Sequence, residues 1–328
     1  MPNPPWCPPT VDAGALLVAA DGASRPAAVI RAAPDGVLVL RNALEAPFDA
    51  ISDLFDGVTP GRAQRANAAY LAGGSKLVWK DAHGEGRGGP HHHQIADPAL
   101  AQELGAPLQQ ALAFFGSARD AYCPLLVAAL REATGYEFAE AESRHAFRLV
   151  DYTPRQLKAG AGDSVPPRCG AHRDFGPATL IWPGGECSDG LEVRVGGAWR
   201  RLPHLPSGSA VFLFGLCTAW RSNDRIRAAE HRVADDPALL GSGGVSPRRL
   251  SAVLFVGLCD SAELAPALVS PGERPRYRTK LAGEVQPTVR RKWSWREGSV
   301  TEEEARAEAE ERSRFESQEA LIAALYKL

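Results

Sequence analysis

The sequence predicts a mainly β protein with flanking helices, its core an antiparallel sandwich or barrel of jelly-roll type. Three observations predict it. From about residue 145 onward, short apolar runs follow one another, separated by Gly, Pro and Asp. Ahead of them, residues 98–134 carry apolar side chains at helical spacing. Behind them, Thr301 to Leu328 reads as a densely charged helix. At 328 residues, the chain is long enough for one large core with appended helices.

Residues 1–35 are rich in Ala, Pro and Gly and are expected to wrap the surface. Gly36 to Arg41 reads as a short strand. The polar, glycine-rich stretch from Gly73 to Pro98 is expected to be a loop. It carries His91-His92-His93, and consecutive histidines on a loop more often face water than share an ion. Two helices are expected, over 98–115 and 117–134, with Gly135 as the stop. The strand-like runs are Ala146–Tyr152, Ala178–Trp182, Gly190–Val195, Ala198–Leu202, Ser209–Phe214, Ile226–Val233 and Arg249–Cys259. In the tail, Thr301 with Glu304 forms a capping-box pattern. This divides the chain into an N-terminal helical and loop region (1–144), a jelly-roll core (145–270) and a C-terminal extension (271–328), together one functional domain.

Composition excludes several classes. Hydrophobic residues make up 45% and charged residues 23%, which argues against disorder. The net charge of -2 offers no concentrated Lys/Arg surface for nucleic acid. No apolar run is long enough to span a bilayer. The opening Met1-Pro2-Asn3-Pro4-Pro5-Trp6 has no basic or apolar region of the secretory kind. Cys7, Cys123, Cys169, Cys187, Cys217 and Cys259 are scattered without a CxxC pair, the pattern of reduced thiols in a cytoplasmic protein. A small molecule is the expected partner, and the oligomeric state is left open.

The chemistry starts at Gly170-Ala171-His172-Arg173-Asp174-Phe175-Gly176. In an extended strand, residues i and i+2 share a face, so His172 and Asp174 project together. One imidazole and one carboxylate give a divalent metal two ligands, and His231, 57 positions beyond Asp174, is the natural third. Two histidines and a carboxylate on one face leave the opposite positions open, as in non-haem iron(II) oxygenases. Taken alone, so short a motif also fits a surface histidine beside an acid. In Arg249-Leu250-Ser251 the same alternation puts Arg249 and Ser251 on one face with Val253 and Phe255. The opposite face reads Leu250, Ala252, Leu254 and Val256, so the strand is apolar on both sides and buried. A buried arginine needs an anion, which is either a protein carboxylate or a small carboxylate ligand gripped by two parallel hydrogen bonds.

These motifs stand in order with others. Arg148-Leu149-Val150-Asp151-Tyr152 precedes the metal strand; Ala178-Thr179-Leu180-Ile181, Gly190-Leu191-Glu192-Val193, Trp199, Pro206-Ser207-Gly208-Ser209 and Trp220-Arg221-Ser222-Asn223 follow it. Glu230-His231-Arg232-Val233 and Arg249-Leu250-Ser251 close the set. In this ordered set, covering somewhat over a third of the chain, the sequence resembles the iron(II)/2-oxoglutarate-dependent dioxygenases, in the isopenicillin N synthase-like branch. The resemblance implies a double-stranded β-helix (jelly-roll) barrel core. It implies Fe(II) on His172, Asp174 and His231, and the distal carboxylate of 2-oxoglutarate on Arg249 and Ser251. Tyr152 would lie near the co-substrate, and Phe255 would line the pocket. The implied reaction uses O2 to oxidise a C–H bond of a small metabolite, by hydroxylation, desaturation or ring closure, releasing succinate and CO2. With Asp174 present, halogenation is disfavoured.

Two departures stand out. Val150 occupies a position where the family often has Asn. The segment between His231 and Arg249 is longer than usual and contains Gly241-Ser242-Gly243-Gly244, read as an enlarged hairpin loop. Arg248 is the alternative co-substrate arginine if the strand slips by one residue, which would turn Ser251 away. Substrate determinants are expected outside the matched core: the loop from Lys80 through Arg87 to His93, Trp182, Trp220 and the C-terminal helix. The alternatives are a same-fold oxidase that does not use 2-oxoglutarate, of the isopenicillin N synthase or aminocyclopropane carboxylate oxidase kind, and a non-catalytic binding protein of the same fold.

Overall fold

Two packed sheets form the centre of the molecule, with helices against the outer face of the larger one. The structure is a computed structural model. It describes residues 6–13, 33, 35–57, 105–135, 145–152, 154–160, 165, 167–184, 190–297 and 318–328, with the short strands at 83–84, 87–88 and 91–94. The large sheet is built from β1 (Thr10–Asp12), β2 (Val37–Arg41), β5 (His91–Gln94), β6 (Ala146–Tyr152), β9 (Ala178–Gly184), β12 (Ala210–Phe214) and β15 (Arg249–Val256). Their order across it is β1-β2-β12-β9-β15-β6-β5. The pairs are antiparallel except β1 with β2. The small sheet is built from β8 (Cys169–His172), β10 (Leu191–Val195), β11 (Ala198–Arg201) and β13 (His231–Val233), in the order β11-β10-β13-β8.

Strand β15 shows why the sequence folds this way. It is flanked by β9 and β6, so its hydrogen bonds are met on both edges. Leu250, Ala252, Leu254 and Val256 share one core with Leu180, Trp182 and Phe212. That core is completed by Ile51, Leu54 and Phe55 of α1 (Phe48–Gly57) and by Leu108, Ala111 and Phe115 of α2 (Ala106–Thr134). The opposite face belongs to a second core. There Val253 joins Val39, Val150, Ile181 and Val211 of the large sheet with Leu191, Val193 and Val233 of the small one. A pleat of period two thus separates a face that stabilises from a face that lines an interior.

Several expectations are corrected. Of the helices expected over 98–115 and 117–134, residues 98–104 lie outside the described residues and the rest is one α2, running unbroken from Ala106 through Gly116 and Pro124. Its apolar stripe, Leu108, Ala111, Phe115, Ala118 and Tyr122, continues across Gly116, and this packing outweighs the roughly 1 kcal/mol cost of a helical glycine. The loop expected over 73–98 contains the two-residue strands β3 (His83–Gly84) and β4 (Arg87–Gly88) and the four-residue β5. The His91–His93 tract completes the sheet edge against β6, a pairing that histidine propensity does not announce. The expected strand Ile226–Val233 shortens to β13, and Leu216–Arg221 is a short helix, α3. The glycine-rich segment read as a hairpin loop is α4 (Pro237–Ser242), capped by Asp236 and followed by β14 (Gly244–Ser246), which pairs with β7 (Arg155–Leu157).

Toward the C-terminus, β16 (Glu263–Leu264) pairs with β17 (Lys280–Leu281), and α5 (Ala282–Glu297) follows. Of the expected tail helix, residues 301–317 lie outside the described residues, and 318–326 form α6 (Gln318–Tyr326). No helix among the described residues is long and apolar enough to cross a membrane.

Candidate metal centre and carboxylate pocket

The small sheet brings the two histidines together. His231 at the start of β13 pairs with His172 at the end of β8, and their rings lie 4.0 Å apart. Each ring is oriented the same way. The carbonyl of Gly170 can only accept, so Nδ1 of His172, 2.7 Å away, carries the proton. Nδ1 of His231 likewise donates to the Ala229 carbonyl at 3.1 Å. Each Nε2 then presents a lone pair, the state in which imidazole binds a metal.

Asp174 stands between them. Its Oδ1 lies 3.6 Å from Nε2 of His172, and its Oδ2 lies 3.8 Å from Nε2 of His231. Among the described residues, these three form the cluster able to hold a metal, with ligand atoms all within 4.8 Å of one another. The Thr179 hydroxyl donates to Asp174 Oδ2 at 2.6 Å and fixes the carboxylate. Burial pushes the His172 imidazole down to about 4, and the neighbouring His231 adds to it. Burial acts to raise Asp174, but the two histidines and the Thr179 bond outweigh it and hold the carboxyl below the usual range. A neutral imidazole facing an ionised carboxylate is the donor state a divalent cation needs.

Two glycines make room for this geometry. Asp174 lies just beyond β8, where its carbonyl accepts from Leu216 N at 2.8 Å and the Phe175 carbonyl accepts from Cys217 N at 3.0 Å. A Cβ at Gly215 would run into the Gly176 carbonyl oxygen and sit 2.8 Å from that of Asp174. A Cβ at Gly176 would run into the Val256 carbonyl oxygen. The backbone behind Asp174 is too close for any side chain.

The β15 face pointing between the sheets starts with Arg249, which is 4% exposed. Arg249 pairs in register with Tyr152, and Ser251 with Val150. Nη1 of Arg249 donates to the Ser251 hydroxyl at 2.8 Å, while its Nε and Nη2 have no hydrogen-bond partner among the described residues. Its guanidinium lies 5.2 Å from the Tyr152 ring centre. Burial pushes its pKa down, and Tyr152 opposes that. No carboxylate among the described residues pairs with it. Arg248 points the other way, to Asp151 at 2.8 Å and to Asp56 at 3.0 Å, so the register of Arg249 holds.

The remaining sequence candidates separate. Phe255 is partly buried on the inner face, under the Arg148 guanidinium at 5.3 Å. Trp220 is not in that space: it is buried in α3, stacked on Tyr277 at 4.8 Å, with its indole N–H donating to the Arg278 carbonyl. Trp182 packs edge-on against Phe114 in the helix-side core. Lys80 lies outside the described residues, and Arg87 is described only as backbone of β4. Sequence reading missed Thr179 and Arg168. Thr179 carried a signal, since an alternating strand places it on the inner face with Ile181.

No family model and no curated protein matches the sequence. Solved structures share its fold. A full-length Neurospora crassa protein in complex with alpha-KG gives a TM-score of 0.65 at 17% identity, over 86% of this chain and 95% of that one. The dioxygenase for auxin oxidation (DAO) of rice gives 0.63 at 21%, over 86% and 94%. A 2OG-Fe(II) oxygenase family protein of Caulobacter crescentus gives 0.61 at 21%, over 86% and 98%. At such identities the likeness is one of architecture, and the architecture this chain shares is that of 2-oxoglutarate/Fe(II) oxygenase structures.

Proposed function

We propose that the chain is a non-haem iron(II), 2-oxoglutarate-dependent oxygenase that oxidises a C–H bond of a small metabolite. The observation that carries the reading is a pair of complementary demands. Two imidazole lone pairs and a carboxylate converge as a donor set for a cation, and a buried arginine between the same two sheets has two nitrogens to offer an anion. A metal-chelating dicarboxylate answers both. Strand order supports closure of the sheets as a double-stranded β-helix barrel, because the chain passes repeatedly between them: β8, β10, β11 and β13 lie in the small sheet, β9, β12 and β15 in the large.

In this reading His172, Asp174 and His231 would hold Fe(II). Iron supplies the O2-dependent oxidation, coupled to conversion of 2-oxoglutarate to succinate and CO2. The protein supplies position. Arg249 and Ser251 grip the distal carboxylate, Tyr152 walls that end, and Thr179 keeps Asp174 aimed. The valine-rich inner faces exclude water. Phe255 lines the substrate side. A cytoplasmic setting is supported by the five described cysteines, none of them in a disulfide.

The test is a screen of candidate metabolites with Fe(II), 2-oxoglutarate and O2, read by succinate release. Succinate formed only with a substrate, and lost in His172→Ala, supports the reading. Oxygen uptake without succinate points to a same-fold oxidase whose Arg249 holds the substrate's own carboxylate. Failure to bind Fe(II) anaerobically points to a binding protein without catalysis.

A further inference from the structure

Arg249 is not the one buried arginine at its end of the interior. Arg168, four positions before His172, is 7% exposed, and its guanidinium lies 5.7 Å from the same Tyr152 ring that Arg249 approaches at 5.2 Å. Nη1 of Arg168 donates to the Ser246 hydroxyl at 3.2 Å and to the Pro247 carbonyl at 2.9 Å. Ser246 ends β14 and Pro247 opens the two-residue link to β15, so Arg168 holds the chain two residues ahead of Arg249. Behind it stands Asp235, with Oδ1 at 4.0 Å from Nε of Arg168. Asp235 is also gripped by Arg155, and Arg201 donates to its backbone carbonyl at 2.6 Å. A cavity of about 200 Å³ is lined by Arg168, Asp235, Ser246, Pro247 and Arg249 among others.

Arg155 and Arg168 both meet the buried carboxylate of Asp235, and Arg155 holds it more closely. A dianionic ligand at Arg249 would meet a second guanidinium, that of Arg168, lining the same cavity. We infer that Arg168 is a positioning residue for the 2-oxoglutarate pocket, fixing the Tyr152 ring and the link from Ser246 through Pro247 that sets Arg249, and adding positive charge beside the carboxylate. The inference rests on the functional reading above and adds a residue outside the matched motifs. Arg168 immediately precedes β8, the strand that carries His172, so one short stretch of chain places both a metal ligand and the far end of the co-substrate pocket.

The experiment is calorimetric titration of 2-oxoglutarate into Mn(II)-loaded protein, beside separate Mn(II) titrations. Arg168→Gln should weaken 2-oxoglutarate about tenfold and leave Mn(II) affinity within about twofold, as expected of a residue that orients a binding group. Arg168→Lys keeps the charge but not the planar guanidinium that lies near the Tyr152 ring while its Nε faces Asp235, and should still weaken binding about fivefold. In a Tyr152→Leu background the effect of Arg168→Gln should shrink, because the two act through one ring. With a turned-over substrate, KM for 2-oxoglutarate should rise while kcat at saturation holds. Binding by both Arg168 variants within about twofold of wild type, or Mn(II) affinity falling in step, would overturn the inference alone. Absence of 2-oxoglutarate binding in the wild-type chain would overturn the functional reading as well.

Discussion

The two faces of β15 differ more than two separate strands often do. On one face Leu250, Ala252, Leu254 and Val256 meet the helices, and nothing polar is asked of them. On the other, Arg249 and Ser251 are held between the sheets, with two guanidinium nitrogens that have no hydrogen-bond partner among the described residues. One face contributes stability, and the other draws on it. A buried cation with no carboxylate partner among the described residues is tolerated because the pleat isolates it from the face that carries the packing.

Substitutions can break this division or sharpen it. Asp174→Ala should cost the most, lowering turnover by about a thousandfold or more with the fold intact, since no other carboxylate among the described residues faces both imidazoles. Succinate release together with circular dichroism checks both halves. Leu254→Ala, on the helix side, should lower unfolding free energy by about 2–5 kcal/mol with unchanged Fe(II) affinity. Urea denaturation measures the loss. Arg249→Met should act in the opposite sense, raising the stability of the ligand-free chain by about 1 kcal/mol or more while removing 2-oxoglutarate binding. A less stable Arg249→Met chain would mean that the arginine already has a counter-charge. Thr179→Val should weaken metal affinity about 10–100-fold without altering the ligands.

The smallest effect concerns acid. Burial acts to raise Asp235, but the bonds from Arg155 and Ser246 outweigh it, so its folded-state carboxyl sits below the unfolded value. A depressed carboxylate contributes stability above the unfolded pKa, and that contribution fades as pH falls through the folded one. The stability gap between wild type and Asp235→Asn should therefore be largest near neutral pH and close as pH falls through and below the ordinary carboxylate range. Parallel urea curves across that range measure it.

Much of this was legible in the sequence where a period of two was unbroken. The alternation in 249–256 foretold both faces of β15, and His172-x-Asp174 with His231 foretold the cluster. Three things were hidden for physical reasons. Helix α2 crosses Gly116 because its apolar stripe is continuous, and a punctuation rule misreads that. The His91–His93 strand is made by pairing to β6, a non-local contact. Arg168 shows no period at all: its role comes from Asp235, Ser246 and Pro247, roughly 70 to 80 positions later in the chain.

The clamp formed by those contacts has a consequence for chain length. Asp235 on one side of α4 and Ser246 on the other are tied to Arg155 and Arg168, while α4 itself contributes no buried residue. Residues 237–242 therefore bridge two moorings, with Ala238 and Leu239 turned to the cavity beside Arg249 and Gly241 and Ser242 exposed. Added chain is best accommodated at that exposed end, where the moorings on either side keep the start of the following strand in place, which makes it the natural berth for an inserted tag or reporter domain.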